Sequence, residues 1–164
     1  MLGTMQSILV VCMGNICRSP MASAVLKAQV QRLGLGEQVA VDSAGVYSGH
    51  AGERADSRAR KLAAQRGYEA IEAERARAVR DEDFERFDAI LAMDRDNMAQ
   101  LQRRCPPLHA HKLHLFLDYA GLGADEVPDP YYGPLQGFEN VLAMCERAAP
   151  AVVQRLLGRA LQTP

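Results

Sequence analysis

The sequence predicts an α/β fold: a single domain with one four-stranded parallel sheet and helices on both of its faces. Two short apolar runs, SILVVC at residues 7–12 and DAILAM at residues 88–93, indicate buried strands. Each run is followed by a helical pattern, and strands that alternate with helices imply right-handed crossovers and a parallel sheet. A long apolar stripe at helical period near the carboxyl end supports the same architecture.

The elements follow in order along the first half of the chain. After the first strand comes a loop, and a helix then carries apolar residues at helical spacing until Gly34: Met21, Ala24, Val25 and Ala28. Residues 39–41 predict a second strand. A loop through Ser43, Gly45 and Gly49 is expected to follow it.

The second half repeats this pattern. A helix fits residues 56–66 and is ended by Gly67. After the strand at residues 88–93, Asp94 can cap the next helix. Residues 111–116 predict a fourth strand, and their polar alternation indicates a sheet edge. The last helix has an apolar stripe formed by Phe138, Val141, Leu142, Cys145, Ala149, Val152 and Leu156.

Composition and charge exclude several classes of protein. The 164 residues fit one domain over residues 1–164, and 48% hydrophobic with 24% charged residues are typical of a globular protein. A net charge of -1 disfavours nucleic-acid binding. No apolar run is long enough to span a bilayer and no leader pattern is visible, so we expect a cytoplasmic protein without membrane contact.

The four cysteines do not indicate disulfides or a metal site. Without a secretion signal, an even cysteine count is weak support for disulfides, and no CxxC pair is present. Three histidines, His109, His111 and His114, lie near Cys105. Their alternation along the chain favours a loop that runs into a strand rather than a set of metal ligands, so no metal is predicted.

The segment from Cys12 to Arg18 has the pattern CxxxxxR between a strand and a helix. The segment lies at the carboxyl end of a predicted parallel strand and faces the amino end of a helix. Anions bind at such places. A loop of this length can wrap its backbone N–H groups around one tetrahedral oxyanion, and Gly14 and Asn15 are the residues best able to adopt the positive φ that this needs. Arg18 can bind two phosphate oxygens in parallel. The segment is predicted to be a phosphate-binding loop.

The same loop acts on the cysteine within it. The helix dipole, the inward N–H groups and the guanidinium of Arg18 all favour the thiolate, so we expect Cys12 to be ionised and nucleophilic at neutral pH. Ser19 lies next to Arg18. Its hydroxyl can either hydrogen-bond the thiolate or cap the helix, and the sequence leaves both interpretations open.

Asp129 is a candidate proton donor for a leaving oxygen. It lies between Pro128 and Pro130 in VPDPYY, a rigid turn, and alone it would be an ordinary turn aspartate. Tyr131 and Tyr132 follow it and offer flat walls for an aromatic ring. The combination favours catalysis on an aryl phosphate.

Four segments together resemble the low-molecular-weight protein-tyrosine phosphatases: CMGNICRSP from Cys12, DSAG from Asp42, AMD from Ala92 and DPYY from Asp129. The resemblance covers about residues 8–157. It implies that Cys12 is the nucleophile and Arg18 binds phosphate. Asp129 would serve first as general acid and then as base for the attacking water.

The resemblance implies further roles. The phosphate-binding loop would comprise Met13, Gly14, Asn15, Ile16, Cys17 and Ser19. Ser43 would support the loop, Tyr131 and Tyr132 would form one substrate wall, and Tyr47 would form the opposite wall. Where many members carry His, this chain has Glu74, so a supporting hydrogen bond to Asn15 is expected to be missing.

The same resemblance sets the expected partners. It implies no cofactor and no metal, a monomer, tyrosine-phosphorylated proteins as substrates, and inorganic phosphate as product and inhibitor. Hydrolysis of phosphotyrosine in proteins and of small aryl phosphates, through a cysteinyl-phosphate intermediate, is therefore the expected activity.

Three alternatives stay open. A related arsenate reductase also has a second loop cysteine, but it would need Cys105 or Cys145 close to the site. Protein-arginine phosphatases tend to carry Thr at the position of Ile16, which favours an aryl substrate here. A phosphotyrosine-binding module without turnover would keep the loop, but nothing in the sequence indicates loss of a catalytic residue.

Cys17 is predicted to have a redox role, with plain loop packing as the alternative. The loop curls both cysteine side chains towards one centre. A thiolate oxidised to sulfenic acid at Cys12 can be trapped by a neighbouring thiol as a disulfide. Cys17 would then protect the nucleophile.

Overall fold

The computed structural model describes residues 5–162, with side chains over residues 5–158, and contains one four-stranded sheet. Its strands are β1 (Gln6–Cys12), β2 (Val39–Gly45), β3 (Ala89–Ala92) and β4 (Leu113–Leu115). All pairings are parallel and the order is β2-β1-β3-β4. The predicted α/β fold with a four-stranded parallel sheet is confirmed, as is the edge position of the fourth strand.

Helices make the crossovers. They are α1 (Arg18–Arg32), α2 (Ser57–Gln65), α3 (Asp81–Arg86), α4 (Arg95–Arg104), α5 (Phe116–Tyr119) and α6 (Leu135–Gln162), with 3-10 turns at Glu69–Ala73 and Pro107–Lys112. Asp56 and Asp94 cap α2 and α4 by accepting hydrogen bonds from backbone N–H groups. Gly34 and Gly67 follow α1 and α2 with φ of 70° and 87°, the left-handed conformation that ends a helix.

The second and fourth strands differ from their predicted bounds. Strand β2 continues beyond Val41, because Ser43 and Gly45, which the sequence predicts in a loop, pair with Val10 and Cys12 of β1. Strand β4 is shorter than predicted, since His111 and Lys112 belong to the preceding 3-10 turn. Helix α3 was not predicted from the sequence. It has six residues and contributes little periodic signal.

Successive side chains of β1 point to opposite faces of the sheet, so the apolar core is divided between the two faces. Ile8 and Val10 pack with residues of α1, α2, α5 and α6. Leu9 and Val11 pack with α4, Phe84 and Phe87 on the other face. Helices on both faces leave the strand ends as the accessible edge of the sheet. Among residues 5–162, no helix combines the length and the apolar content needed to cross a bilayer.

Candidate active site

The loop from Cys12 to Arg18 curls at the carboxyl end of β1, and α1 begins directly after it. Asn15 has φ of 59°, as predicted, but Gly14 is not among the positive-φ residues. The expectation of a left-handed Gly14 is therefore wrong. A Cβ at Gly14 would lie 2.9 Å from Cδ2 of His50, at the end of a partly exposed side chain that has room to shift.

Cys12 receives polar contacts from two sides. The backbone N–H of Asn15 donates to its Sγ at 3.3 Å, and Oγ of Ser19 lies 3.0 Å from the same atom. Ser19 is the second residue of α1 rather than its cap. The cap position is held by Cys17, whose side chain makes no capping hydrogen bond, so the open helix end faces the loop.

Arg18 is buried, with 3% of its surface exposed, and its orientation is fixed by two acceptors. Nη1 donates to Asp94 Oδ2 at 2.6 Å and to the carbonyl of Val127 at 3.0 Å. Burial lowers the pKa of Arg18, but the hydrogen bond with Asp94 and the neighbouring charges of Cys12, Asp94 and Asp129 outweigh it, so its pKa is raised. Within residues 5–162, both side-chain hydrogen bonds of Arg18 leave from Nη1, so Nε and Nη2 remain available to a phosphate.

Asp94 is a site residue whose role sequence reasoning missed. It was predicted only as a helix cap, and it does accept from the N–H of Asn97 at 2.7 Å. Its second oxygen holds Arg18. The signal that could have found it is topological: β3 ends at Ala92 and pairs directly with β1, so residues after the two strands meet at one edge.

Asp129 lies at the rim of the loop. Its Oδ2 is 3.8 Å from Nη2 of Arg18, and its Oδ1 accepts from the N–H of Tyr131 at 3.1 Å. Val127 anchors this segment, since its N–H donates to the carbonyl of Met93 at 2.8 Å. The Asp129 side chain is exposed, with 42% of its surface accessible to solvent.

The two tyrosines after Asp129 differ in exposure and in their contacts. Tyr131 is partly buried, and Arg58 holds it by donating to its carbonyl at 3.1 Å and by lying 5.5 Å from its ring centroid. Tyr132 is 95% exposed and meets Tyr131 edge-on, with ring centroids 4.8 Å apart. Tyr131 is therefore packed against Arg58, whereas the Tyr132 side chain is almost fully exposed.

Tyr47 stands beside the phosphate-binding loop, with 51% of its surface exposed. Its N–H donates to the carbonyl of Met13 at 2.9 Å, which ties it to the loop. Its ring is edge-on to His50, with centroids 6.0 Å apart. A Cβ at Gly49 would overlap the Tyr47 phenol, so Gly49 makes this ring position possible.

The support beneath the loop runs through Asn15 and Ser43. The amide of Asn15 donates to Ser43 Oγ at 2.9 Å, and its Oδ1 accepts from the N–H of Arg77 at 3.0 Å. Glu74 accepts from Ser43 at 2.8 Å. Glu74 thus contacts Ser43, and the backbone of Arg77 supplies the hydrogen bond to the Asn15 carbonyl.

Comparisons with known proteins match this geometry. The family described as Low molecular weight phosphotyrosine protein phosphatase matches residues 7–162. A Low molecular weight protein-tyrosine-phosphatase of Streptomyces coelicolor is 44% identical over 158 residues, covering 92% of this chain and 95% of that protein. The chain belongs to the low molecular weight phosphotyrosine protein phosphatase family.

More distant family members agree over similar lengths. The phosphatase of Sus scrofa is 34% identical over 153 residues, which cover 92% of this chain and 96% of that protein. The crystal structure of a protein tyrosine phosphatase from Entamoeba histolytica, with Hepes in its active site, superposes with a TM-score of 0.89 at 42% identity, covering 94% and 99% of the two chains. Family membership places the chain among the protein-tyrosine phosphatases, a class of hydrolases.

Proposed function

We propose that this chain hydrolyses phosphotyrosine in proteins, and small aryl phosphates, through a cysteinyl-phosphate intermediate. The observation that supports this most is the convergence of three groups from separate elements. Cys12 is the last residue of β1, Arg18 is the first residue of α1, and Asp129 approaches Arg18 to 3.8 Å from the loop before α6. Nucleophile, phosphate ligand and proton donor thus share one edge of the sheet.

The first step transfers the phosphoryl group to the enzyme. The thiolate of Cys12 attacks phosphorus while Arg18 and the loop N–H groups hold the non-bridging oxygens. The bond from phosphorus to the aryl oxygen breaks, and its electron pair leaves with that oxygen. Asp129 donates a proton to this oxygen, so the alcohol departs neutral.

The second step returns the enzyme to its starting state. Asp129, now a carboxylate, accepts a proton from a water molecule that attacks phosphorus. The bond between sulfur and phosphorus breaks and leaves the thiolate of Cys12, which the Ser19 hydroxyl at 3.0 Å can stabilise. Inorganic phosphate is the product, and because it fits the same loop it is expected to inhibit competitively.

The surroundings of the loop favour an aromatic substrate. Tyr47, Tyr131 and Tyr132 provide aromatic faces beside the proposed phosphate-binding loop. Ile16, the position where arginine phosphatases tend to carry Thr, is apolar and largely buried. These features support an aryl phosphate over a phosphoarginine.

The placement of the remaining cysteines argues against arsenate reduction. Cys105 packs with the core on the sheet face opposite to that of Cys12. Cys145 is fully buried in α6, and burial raises its pKa to about 12. Neither thiol is suited to receive a disulfide from the loop.

Metal-independent hydrolysis of an aryl phosphate tests the proposal. The purified chain should release p-nitrophenol from p-nitrophenyl phosphate at an unchanged rate in excess chelator, and phosphate should inhibit competitively. A phosphotyrosine peptide should be cleaved far faster than the matched phosphoserine peptide, because only the longer aryl group reaches from the loop to the tyrosine walls. Absence of hydrolysis in a folded sample would leave the binding-module alternative, and loss of activity in chelator would overturn the thiolate mechanism.

Reversible oxidation is the second prediction at this site. Cys17 is a free thiol buried beside Cys12. After treatment with hydrogen peroxide and then a thiol reductant, wild type should regain most of its activity, whereas Cys17→Ser should stay largely inactive. The sulfenic acid at Cys12 would be captured by Cys17 with loss of water in the wild type, but would advance to sulfinic acid in the variant.

The protection should depend on pH. Burial raises the pKa of Cys17, and the charges of Asp56 and Cys12 act in the same direction. Because the thiolate is the attacking form, its share grows as the pH rises, so the recovered fraction should be larger at about pH 8.5 than at about pH 6.5. Equal recovery in wild type and Cys17→Ser would remove Cys17 from this role, as would a disulfide between Cys12 and Cys105 or Cys145.

A further inference from the structure

The segment that carries Asp129 has few polar anchors to the rest of the protein. We call residues 128–133 the acid loop. Just before it, Val127 is fixed on both sides, since its N–H and its carbonyl form hydrogen bonds of 2.8 and 3.0 Å with other elements. In the part of the chain that the structure describes, the acid loop has one hydrogen bond to a residue outside it. Nη2 of Arg58 donates it to the carbonyl of Tyr131, at 3.1 Å.

The guanidinium of Arg58 is oriented by two parallel hydrogen bonds to one carboxylate. Nε donates to Asp56 Oδ1 at 3.0 Å, and Nη2 donates to Oδ2 at 2.9 Å. Nη2 carries two protons, so the second one serves the Tyr131 carbonyl. Burial raises the pKa of Asp56, but the hydrogen bonds from Arg58 outweigh it, so this pKa is lowered. The contact with Tyr131 therefore comes from a guanidinium that an ionised carboxylate already holds in place.

Asp56 joins this ion pair to the phosphate-binding loop. Its backbone N–H donates to the carbonyl of Ile16 at 2.7 Å, and its carboxylate caps α2. On the other side, the guanidinium carbon of Arg58 lies 4.5 Å from the ring centroid of Phe138, a buried residue of α6. The pair of Asp56 and Arg58 thus contacts the phosphate-binding loop, the acid loop and the helix that follows the acid loop.

The last contact lies within the acid loop. The N–H of Tyr131 donates to Asp129 Oδ1 at 3.1 Å, so a single residue joins the guanidinium of Arg58 to the carboxyl group. The other oxygen of Asp129 lies 3.8 Å from Nη2 of Arg18. We infer that Arg58 is a positioning residue, whose guanidinium holds Tyr131 so that the Asp129 carboxyl group stays beside Arg18. The inference rests on the proposed role of Asp129 as proton donor.

The double variant Asp56→Asn/Arg58→Met removes the ion pair without changing net charge. Asparagine is also a good helix cap, so α2 should keep its start. The readout is kcat/KM for aryl phosphates that differ in leaving-group pKa. A displaced general acid matters most where the leaving oxygen needs a proton, so we expect a loss of roughly 10- to 10²-fold with poor leaving groups and of less than about 3-fold with good ones. Competitive inhibition by phosphate should be almost unchanged, because Arg18 is untouched.

Coupling to Asp129 separates positioning from general loosening. In the Asp129→Asn background, the double variant should lower kcat/KM by less than about 2-fold with poor leaving groups, because no proton donor is left to misplace. Arg66→Met/Glu146→Gln is the matched control. It also removes an ion pair between α2 and its surroundings without changing net charge, and the Arg66 side chain is 40% exposed against 39% for Arg58. This control should keep the wild-type dependence on leaving-group pKa.

Arg58→Lys keeps the charge and tests the geometry. An ammonium group can pair with Asp56, but it lacks the planar set of donors that binds the carboxylate and the Tyr131 carbonyl together. The slope of log kcat/KM against leaving-group pKa should therefore be steeper than in wild type and shallower than in the double variant. Because this variant keeps an ion pair, it keeps the test valid if the double variant unfolds. A wild-type slope in Arg58→Lys would mean that the guanidinium is not what holds Tyr131.

Cleavage by chymotrypsin gives a second measurement, which needs no turnover. The protease cuts after tyrosine, and Tyr131 and Tyr132 both lie in the acid loop. Loss of the hydrogen bond from Arg58 should raise the rate of cutting at these two sites several-fold, because cleavage follows the population in which a segment is open. The matched control should be cut at the wild-type rate.

Three results would overturn the inference: a wild-type slope in the folded double variant, an equal loss of kcat/KM across the aryl series, or losses that add in full in the Asp129→Asn background. An unchanged rate of cutting in the acid loop would do the same. If wild type fails to hydrolyse aryl phosphates, the proposed function fails, whereas the rate of cutting still decides whether Arg58 holds the acid loop.

Discussion

Cys12→Ser should abolish turnover, with a loss on the order of 10⁴-fold or more, while phosphate analogues still bind. The serine hydroxyl is a weak nucleophile because it stays protonated even in a site that favours an anion. The rest of the loop should keep its shape. Asn15 is fixed by Ser43 and Arg77, and Arg18 is fixed by Asp94, independently of the sulfur. Turnover of p-nitrophenyl phosphate and calorimetric binding of vanadate or phosphate measure the two effects separately.

Cys145→Ser is the matched control for this substitution. It makes the same atomic change in a cysteine that is fully buried in α6, so it tests whether any loss comes from reduced stability alone. Activity per folded molecule should stay close to wild type. Residual hydrolysis of a few per cent in Cys12→Ser would contradict the proposed nucleophile, whereas loss of both turnover and phosphate binding would mean that the loop had collapsed.

The local part of the site could be predicted from the sequence because it is contiguous. The strand SILVVC, the loop after it and the start of α1 bring Cys12, Asn15 and Arg18 together through chain connectivity alone. The four-stranded sheet was predictable for a similar reason. Buried strands differ clearly from the amphipathic helices between them.

Contacts across the sheet could not be predicted in the same way. The hydrogen bond from Arg18 to Asp94 joins residues 76 positions apart, and its existence depends on β3 lying beside β1. Lys27 and Glu74 are 47 positions apart, and neither side chain has a local pattern that indicates its partner.

Asp129→Asn should lower kcat/KM, which reports the steps through the first phosphoryl transfer, by about 10²- to 10⁴-fold with poor leaving groups and by much less with good ones. The asparagine keeps the size and the hydrogen bond from the N–H of Tyr131, but it cannot donate the proton that a poor leaving oxygen needs. A series of aryl phosphates with leaving-group pKa from about 5 to about 10 measures this effect as a slope. The slope of log kcat/KM against leaving-group pKa should be shallow in wild type and steep in the variant.

Asp125→Asn is the matched control for that slope, because it removes one carboxylate from the same loop at a position without a contact to Arg18 among residues 5–162. It should leave both the slope and kcat near wild type.

A second check uses nucleophilic rescue. A small alcohol can replace only the water of the second step, in which Asp129 also acts. When the first step limits turnover, the alcohol should therefore restore little rate to the variant. An equal loss of kcat/KM across the whole aryl series would show that Asp129 holds its loop in place instead of donating a proton, and the general acid would then have to be sought elsewhere at the rim.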